Sequence, residues 1–552
     1  MLLSLLGLVV LFYVLWTLHD LFRNYRIART IAFPIEILPV DFLNVPFQVL
    51  EPHIWPILDF LRIPLPRQLR YLRRGWHYKA KANFHHELGP SYALVTPRQV
   101  YVHTCDAEAI HYVFSHRKEF PRTPEQYEVL AVYGPSLSTA QPEDWARHRK
   151  AVAPSFMNET IMRNVWEESI RQVRQMIDIW INDGVSSVER DTRTLSLNVL
   201  AAIGFRQSFD FRSTSEESME PDGKFSYRDA LKIVLDNVIL IMLIPRKHLR
   251  YSWLPASLQR IGKAAADFGV HMQEMVNKEL AKLNSGDKGS GTLVTSFVQA
   301  IDAHQKDKSK GISVDELLGN LFIINFAGHD TTANTLAFAM LLLAAYPEVQ
   351  DWVGEEMMRE TGHLADDELD YSIFAKLLRC RAVMYETLRL YPPVMSLPKQ
   401  TLKPQILHTS NGPVRIPPDV SINSQVLAVQ THPKYWPDEP LKWKPTRWII
   451  PKKPAGEGKL PAEDFFTPAT DTYFPWSDGP QNCPGLKFSQ VEFVAVLLYL
   501  LRKHRIHGIK NPNESDLELQ KRILSVVEDC TAVMLLKMRD PDRVKVGLRP
   551  VS

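Results

Sequence analysis

Phe474-Pro-Trp-Ser-Asp-Gly-Pro-Gln-Asn-Cys-Pro-Gly485 decides how this chain is read. It sets one cysteine, Cys483, between Gly479 and Gly485, with the aromatic Trp476 seven residues before the sulfur. Glycine lets the backbone turn tightly and come close to a flat cofactor. Such a segment can offer a single thiolate to a metal while backbone N–H groups point at the sulfur. The competing reading is a buried cysteine chosen for packing, since free cysteine behaves as a small hydrophobe. The loop by itself leaves both open.

Other metal chemistry is easier to exclude. The chain has four cysteines, Cys105, Cys380, Cys483 and Cys530, with no C-x-x-C pair, which speaks against structural zinc and against a disulfide framework. So few cysteines suit a reducing compartment. The 552 residues are 45% hydrophobic and 23% charged, as in an ordinary folded protein. A net charge of +3 is too small to imply nucleic acid as a partner.

The first segment is of another kind. Leu2 to Leu18 is almost wholly apolar and, as a helix, spans roughly 26 Å of a hydrocarbon core about 30 Å thick. No basic region precedes it and no small-residue cleavage site follows, so a cleaved signal peptide fits poorly. Arg23, Arg26 and Arg29 lie just beyond it, which orients the rest of the chain to the cytosol. The expected organisation is an anchor over 1–22, a proline-rich and basic hinge over 23–75, and a catalytic domain over 76–552. Within that body, Ser91 to Thr104 alternates like a hairpin, 226–245 reads as one apolar helix, and 209–225, 285–292 and 450–466 read as polar loops or insertions. Strand-like segments are few, so the fold is expected to be mainly α with a minor β region.

Three further patterns carry chemistry. A long helix from about Val314 to Tyr346 is interrupted by Ala327-Gly-His-Asp-Thr-Thr332, poor helix formers that predict a kink. A hydroxyl and a carboxylate opened there, Thr331 and Asp330, can hold water and pass protons. Glu386 and Arg389 share one helix face, and a buried pair of that kind needs further partners, for which Arg447 is a candidate. Trp145 and Arg149 also share a face, and an indole N–H and a guanidinium can bind one carboxylate together.

Taken together and in this order, these patterns resemble the cytochrome P-450 superfamily of haem-thiolate monooxygenases, and the run WSDGPQNCPGLKFSQVEF is most similar to filamentous-fungal members. The resemblance implies the cytochrome P-450 fold and a haem b (iron protoporphyrin IX) whose axial ligand is Cys483. It implies that Thr331 and Asp330 support oxygen activation, that Glu386, Arg389 and Arg447 form a structural cluster, and that Trp145, Arg149 and Lys399 hold the haem propionates. Trp476 and Gly479 belong to the cofactor-binding loop. This sequence departs from the family pattern twice: Trp476 stands where a phenylalanine is usual, and Gln481 where an arginine is usual, removing a cation expected near a propionate.

The implied activity is NADPH- and O2-dependent hydroxylation or epoxidation of a lipophilic small molecule, with electrons from NADPH–cytochrome P-450 reductase, in fungal secondary-metabolite biosynthesis. The alternative is a haem-thiolate isomerase or dehydratase that uses no external oxygen, which would not need the Thr331 hydroxyl. Expected pocket residues are Phe326, His329, Val394, Met395, Leu397 and Val526, with 127–133 as a lid. Arg147 and Lys150 are candidates for docking the reductase. The expected location is the endoplasmic reticulum membrane, with a single-pass N-terminal anchor and the catalytic domain facing the cytosol.

Overall fold

A computed structural model describes residues 2–211, 222–286, 292–452, 463–468 and 471–551. The loops expected at 209–225, 285–292 and 450–466 therefore lie partly outside the described residues. What is seen of the last is a short antiparallel pair, Ile449–Pro451 with Glu463–Phe465.

The long helix expected near 314 runs from Val314 to Ala345 through the largest apolar core. Its start is a capping box: the Ser313 hydroxyl accepts the Glu316 N–H, and the Glu316 carboxylate accepts the Ser313 N–H at 2.8 Å. Pro347 opens the next helix, Pro347–Thr361, which leaves at 107°. The interruption at 327–332 does not break the helix. Thr331 donates back to the Ala327 carbonyl at 2.8 Å and Thr332 to that of Gly328 at 3.2 Å, so the hydroxyls are accommodated within the turn. The apolar stretch 226–245, by contrast, is two helices, Tyr227–Asp236 and Val238–Leu243. They part at Asn237, whose side chain bonds the Ile233 carbonyl.

The β content is small but places the site. A five-stranded sheet runs in the order Ile35–Ile37, Ser91–Val95, Val100–Thr104, Val420–Ser424, Leu397–Gln400. The expected hairpin is its centre, with Ser91 opposite Thr104. Its side chains alternate between two cores: Tyr92, Leu94 and Tyr101 on one face, Ala93, Val95 and Val102 on the other. The edge strand Leu397–Gln400 carries Lys399.

The N-terminal apolar run is a helix, Leu2–Ala28. Leu8, Phe12 and Trp16 are well exposed, at 63%, 64% and 60%. Lower down, Asn24 donates to the carbonyls of Thr96 and Pro97, seating the helix on the hairpin turn. Among the described residues no single helix is long and apolar enough to cross a membrane; the side chains of Leu2, Leu3, Leu6, Val9 and Val10 lie outside that set. Residues 23–75 hold the end of this helix, the strand Ile35–Ile37 and the helix Val45–Phe60.

Candidate active site

The loop around Cys483 is held in shape from within. Ser477 N–H donates to the Phe474 carbonyl, Asn482 N–H to that of Gly479, and Cys483 N–H to that of Trp476 at 2.8 Å. Gly479 has φ +64°, and a Cβ there would lie 2.6 Å from the Phe114 carbonyl oxygen, so this position needs glycine for both space and backbone. Phe474 N–H is anchored on the Gln430 side chain. The indole N–H of Trp476 finds its partner in the Ser489 hydroxyl at 3.1 Å, and its ring leans on Tyr385.

Above this loop lies a cavity of about 330 Å³. Cys483 opens onto it, although protein encloses the sulfur on its other sides. Burial pushes the Cys483 thiol up, against the pull of the Gly485 N–H and the Arg149 guanidinium. The long helix lines it with one stripe: Asn320, Ile323, Ile324, Ala327, Gly328, Thr331, Thr332 and Thr335. That spacing is the helical repeat.

The same repeat corrects part of the expected pocket. Val394 and Leu397 line the cavity, while Phe326, His329, Met395 and Val526 do not. Phe326 and His329 sit off the cavity stripe. Phe326 stacks on Phe322, and His329 is buried with Nδ1 against the Asn325 carbonyl. Val526 belongs to a packed helix, Asp516–Glu528, and Met395 is buried in the main core. Of the lid segment only Tyr127 reaches the cavity. Phe114, Arg122, Leu200 and the pair Ile323–Ile324 were not expected there. Counting back from Thr331 in steps of three and four would have found the isoleucines.

Thr331 and Asp330 point different ways. Thr331 faces the cavity. Asp330 is ion-paired with Arg193 at 2.8 Å and lies 3.2 Å from His329 Nε2. Burial by itself would raise the Asp330 carboxyl, but His329 and Arg193 overcome it and hold the group down at about 2. Arg193 reaches on to Asp236, on a separate helix.

Glu386, Arg389 and Arg447 meet. Arg389 forks onto Glu386 with two bonds of 2.8 Å, and Arg447 Nε donates to the same carboxylate at 2.9 Å. Glu386 and Arg389 are both 0% exposed. Two donors were not expected: the Trp448 indole N–H at 2.9 Å and the Lys444 backbone N–H at 2.9 Å. Arg389 in turn donates to the carbonyls of Gln430, Pro440 and Lys442. Arg147 is committed to Glu316 at 2.6 and 2.7 Å, so it is not a free docking cation; Lys150 is exposed.

Trp145, Arg149 and Lys399 all border the cavity. Arg149 donates to the backbone and side chain of Asn482, and Lys399 to the Gln481 side chain. The buried Trp145 N–H has no hydrogen-bond partner among the described residues. These groups fit haem: a thiol at one end, apolar walls, and at the edge an orphaned indole N–H beside cations, as two carboxylates require.

Comparison with known proteins agrees with the geometry. The family model for cytochrome P450 matches residues 65–527. Cytochrome P450 monooxygenase 124 of Postia placenta is 32% identical, over 79% of this chain and 81% of its own. The phomenoic acid biosynthesis cluster cytochrome P450 monooxygenase of Leptosphaeria maculans is 28% identical over 88% of this chain and 89% of its own. A crystal structure of a cytochrome P450 shares the fold, with a TM-score of 0.63 at 18% identity, covering 86% of this chain and 94% of that one.

Proposed function

The chain belongs to the cytochrome P450 family, whose enzymes are haem-thiolate monooxygenases, and from that premise we propose that it performs NADPH- and O2-dependent hydroxylation or epoxidation of a lipophilic small molecule. The observation that carries this reading is a single cavity lined by Cys483, by Thr331 of the long helix and by apolar side chains.

Haem bound through Cys483 supplies the oxygen chemistry that no side chain can, with the thiolate donating electron density. The chain's own residues do the rest. Ile323, Ile324, Ala327, Val394 and Leu397 hold an apolar substrate and exclude bulk water. Thr331 Oγ1 donates to the Ala327 carbonyl, which leaves its lone pairs turned to accept a hydrogen bond in the cavity. Asp330, held at about 2, stays ionised near neutrality and is a poor proton donor itself. It is held by Arg193 and His329 away from the cavity, so the proton-handling group that faces the cavity is the Thr331 hydroxyl.

The N-terminal helix anchors the enzyme in the endoplasmic reticulum membrane with the catalytic domain in the cytosol. In support, its upper apolar side chains are unpacked while Asn24 fixes its lower end to the domain, and Arg23, Arg26 and Arg29 follow the apolar run. NADPH–cytochrome P-450 reductase is the proposed electron donor, with exposed Lys150 as part of its docking face. The biosynthesis-cluster relative supports a place in fungal secondary metabolism.

The test is incubation of membranes carrying this enzyme and reductase with NADPH, isotopically labelled O2 and a panel of lipophilic metabolites. Labelled oxygen in a product is expected. Turnover that needs neither NADPH nor O2 would replace this reading with an isomerase or dehydratase.

A further inference from the structure

Outside the cavity, beside the cysteine loop, two carboxylates share one imidazole. Asp478 directly precedes Gly479, and Asp471 lies earlier in the same stretch. His111 comes from another element, the helix Ala107–Ser115. Its Nδ1 is 2.6 Å from Asp478 Oδ2 and 2.9 Å from Asp471 Oδ1. A ring nitrogen carries at most one proton, so it serves one of these oxygens and leaves the other facing it. The oxygen left over is Asp471 Oδ1, which is itself buried and has no hydrogen-bond partner among the described residues.

The local charge is not balanced either. Among the described residues no lysine or arginine lies within 4.0 Å of Asp471 or Asp478. Asp478 stands where a cap would, just before the turn Gly479–Gln481, yet its side chain caps nothing there and turns to His111. Burial pushes the Asp471 carboxyl up; His111 opposes this, while the Asp478 and Glu108 charges add to it. A half-enclosed anionic cluster of this kind calls for a cation.

The donor set says which. Two carboxylate oxygens with an imidazole nitrogen suit a first-row divalent ion such as zinc, whereas magnesium and calcium take oxygen ligands. Around tetrahedral zinc such ligand atoms lie about 3.3–3.6 Å apart. Here all three lie within 4.8 Å of one another, and His111 and Asp478 are exposed enough to open slightly around an ion. Ser115 Oγ, 3.4 Å from His111 Nε2, is placed to accept the proton of that nitrogen and leave Nδ1 free for metal.

We propose that His111, Asp471 and Asp478 form a zinc site that ties the helix Ala107–Ser115 to the cysteine loop. None of the three lines the cavity, so the ion is structural and takes no part in the oxygen chemistry. It reaches Cys483 through the backbone, because Asp478 precedes Gly479, which already lies against the Phe114 carbonyl of the same helix. The site stands apart from the haem reading, which enters only through the second measurement below.

The experiment titrates purified holoenzyme, stripped with EDTA, with zinc chloride by calorimetry. Saturable binding at one zinc per chain in the micromolar range or tighter is expected. His111→Gln and Asp478→Asn should each weaken it by about tenfold or more, and Ser115→Ala by about tenfold, as for a group that orients a metal-bound imidazole. Magnesium at the same concentration should not compete. Zinc should also slow transfer of the haem to excess apomyoglobin in the wild type and not in His111→Gln. No binding at micromolar zinc overturns the proposal, and so does binding that the substitutions leave unchanged, which would be an adventitious ion only. Competition by magnesium would show attraction to the carboxylates without the imidazole and overturns the assignment to zinc. Binding that depends on these residues but leaves haem loss unchanged overturns the tie to the loop. Should Asp478→Asn fail to fold, His111→Gln, at an exposed helical position, carries the same test.

Discussion

Two groups of charges in this molecule, one fully buried at Glu386 and one partly buried at the cavity edge, are built on opposite terms. Around Glu386 every donor meets an acceptor: two arginines, an indole and a backbone N–H converge on one carboxylate, and Arg389 spends its remaining donors on carbonyls. Around Arg122, Arg149 and Lys399 the donors outnumber the acceptors, and an indole N–H is left over. The closed group needs nothing from outside and so holds the fold. The open group is completed only by an anion, and so marks a binding site. Counting satisfied partners separates structure from function here, where burial and charge alone do not.

The comparison breaks most easily at Glu386. Glu386→Gln leaves the buried Arg389 without its counter-charge and Arg447 with only Asp438, 3.8 Å away, and should destabilise the protein by about 3–5 kcal/mol. Urea unfolding followed by circular dichroism measures this. A loss under 1 kcal/mol would mean the closed group is not what holds this region. A smaller effect is expected from Trp448→Phe, which removes one donor to the same carboxylate and the pyrrole half of a buried indole; about 1.5–3 kcal/mol follows for a hydrogen bond to a charged group, with the lost packing in addition.

How much of each group could be read in the sequence follows from the same contrast. Glu386 and Arg389 are three apart on one helix, so their meeting is local geometry. Trp448 joins them from 62 residues away, and no local pattern announces it. Cys483 and Gly479 were legible because the loop is contiguous. The cavity stripe is only half legible: the motif marks Thr331, while the 3.6-residue repeat, which sets Phe326 and His329 off the stripe, points to Ile323, Ile324 and Ala327. Arg122 gave no signal, because a lone arginine before a proline looks like any surface cation. Nor was the sheet order legible, since Val100–Thr104 pairs in parallel with Val420–Ser424 across three hundred residues.

The open group should show itself through pH. Burial, with Arg122 and Arg117 close by, pushes the Lys399 ammonium down to about 7. The folded state disfavours its charged form, so between about 7 and the ordinary lysine value the unfolded chain holds the extra proton. Stability of the haem-depleted protein should therefore be flat below this window and rise with pH across it. Lys399→Met should remove the rise. In the holoenzyme the slope should be shallower, because bound carboxylates favour the charged ammonium. Thermal unfolding at a series of pH values measures all three, and a slope that persists in Lys399→Met would place its origin elsewhere.

The smallest effect on stability, and the sharpest contrast with Trp448, is expected at Trp145. Both are buried indoles, but Trp448 donates to Glu386 while Trp145 has no acceptor among the described residues. Trp145→Phe keeps a six-membered ring beside Arg117 and deletes the unpartnered N–H together with the pyrrole half of the indole. The haem-depleted protein should then lose only the packing of that half-ring, and so less than Trp448→Phe, which also gives up a hydrogen bond to a charged group. Haem loss from the holoenzyme should nonetheless quicken severalfold, by the worth of one hydrogen bond to a carboxylate. If instead the haem-depleted protein loses as much stability as Trp448→Phe does, the Trp145 N–H already has a partner within the fold. The group at the cavity edge would then be closed like the one at Glu386, with no vacancy for an anion.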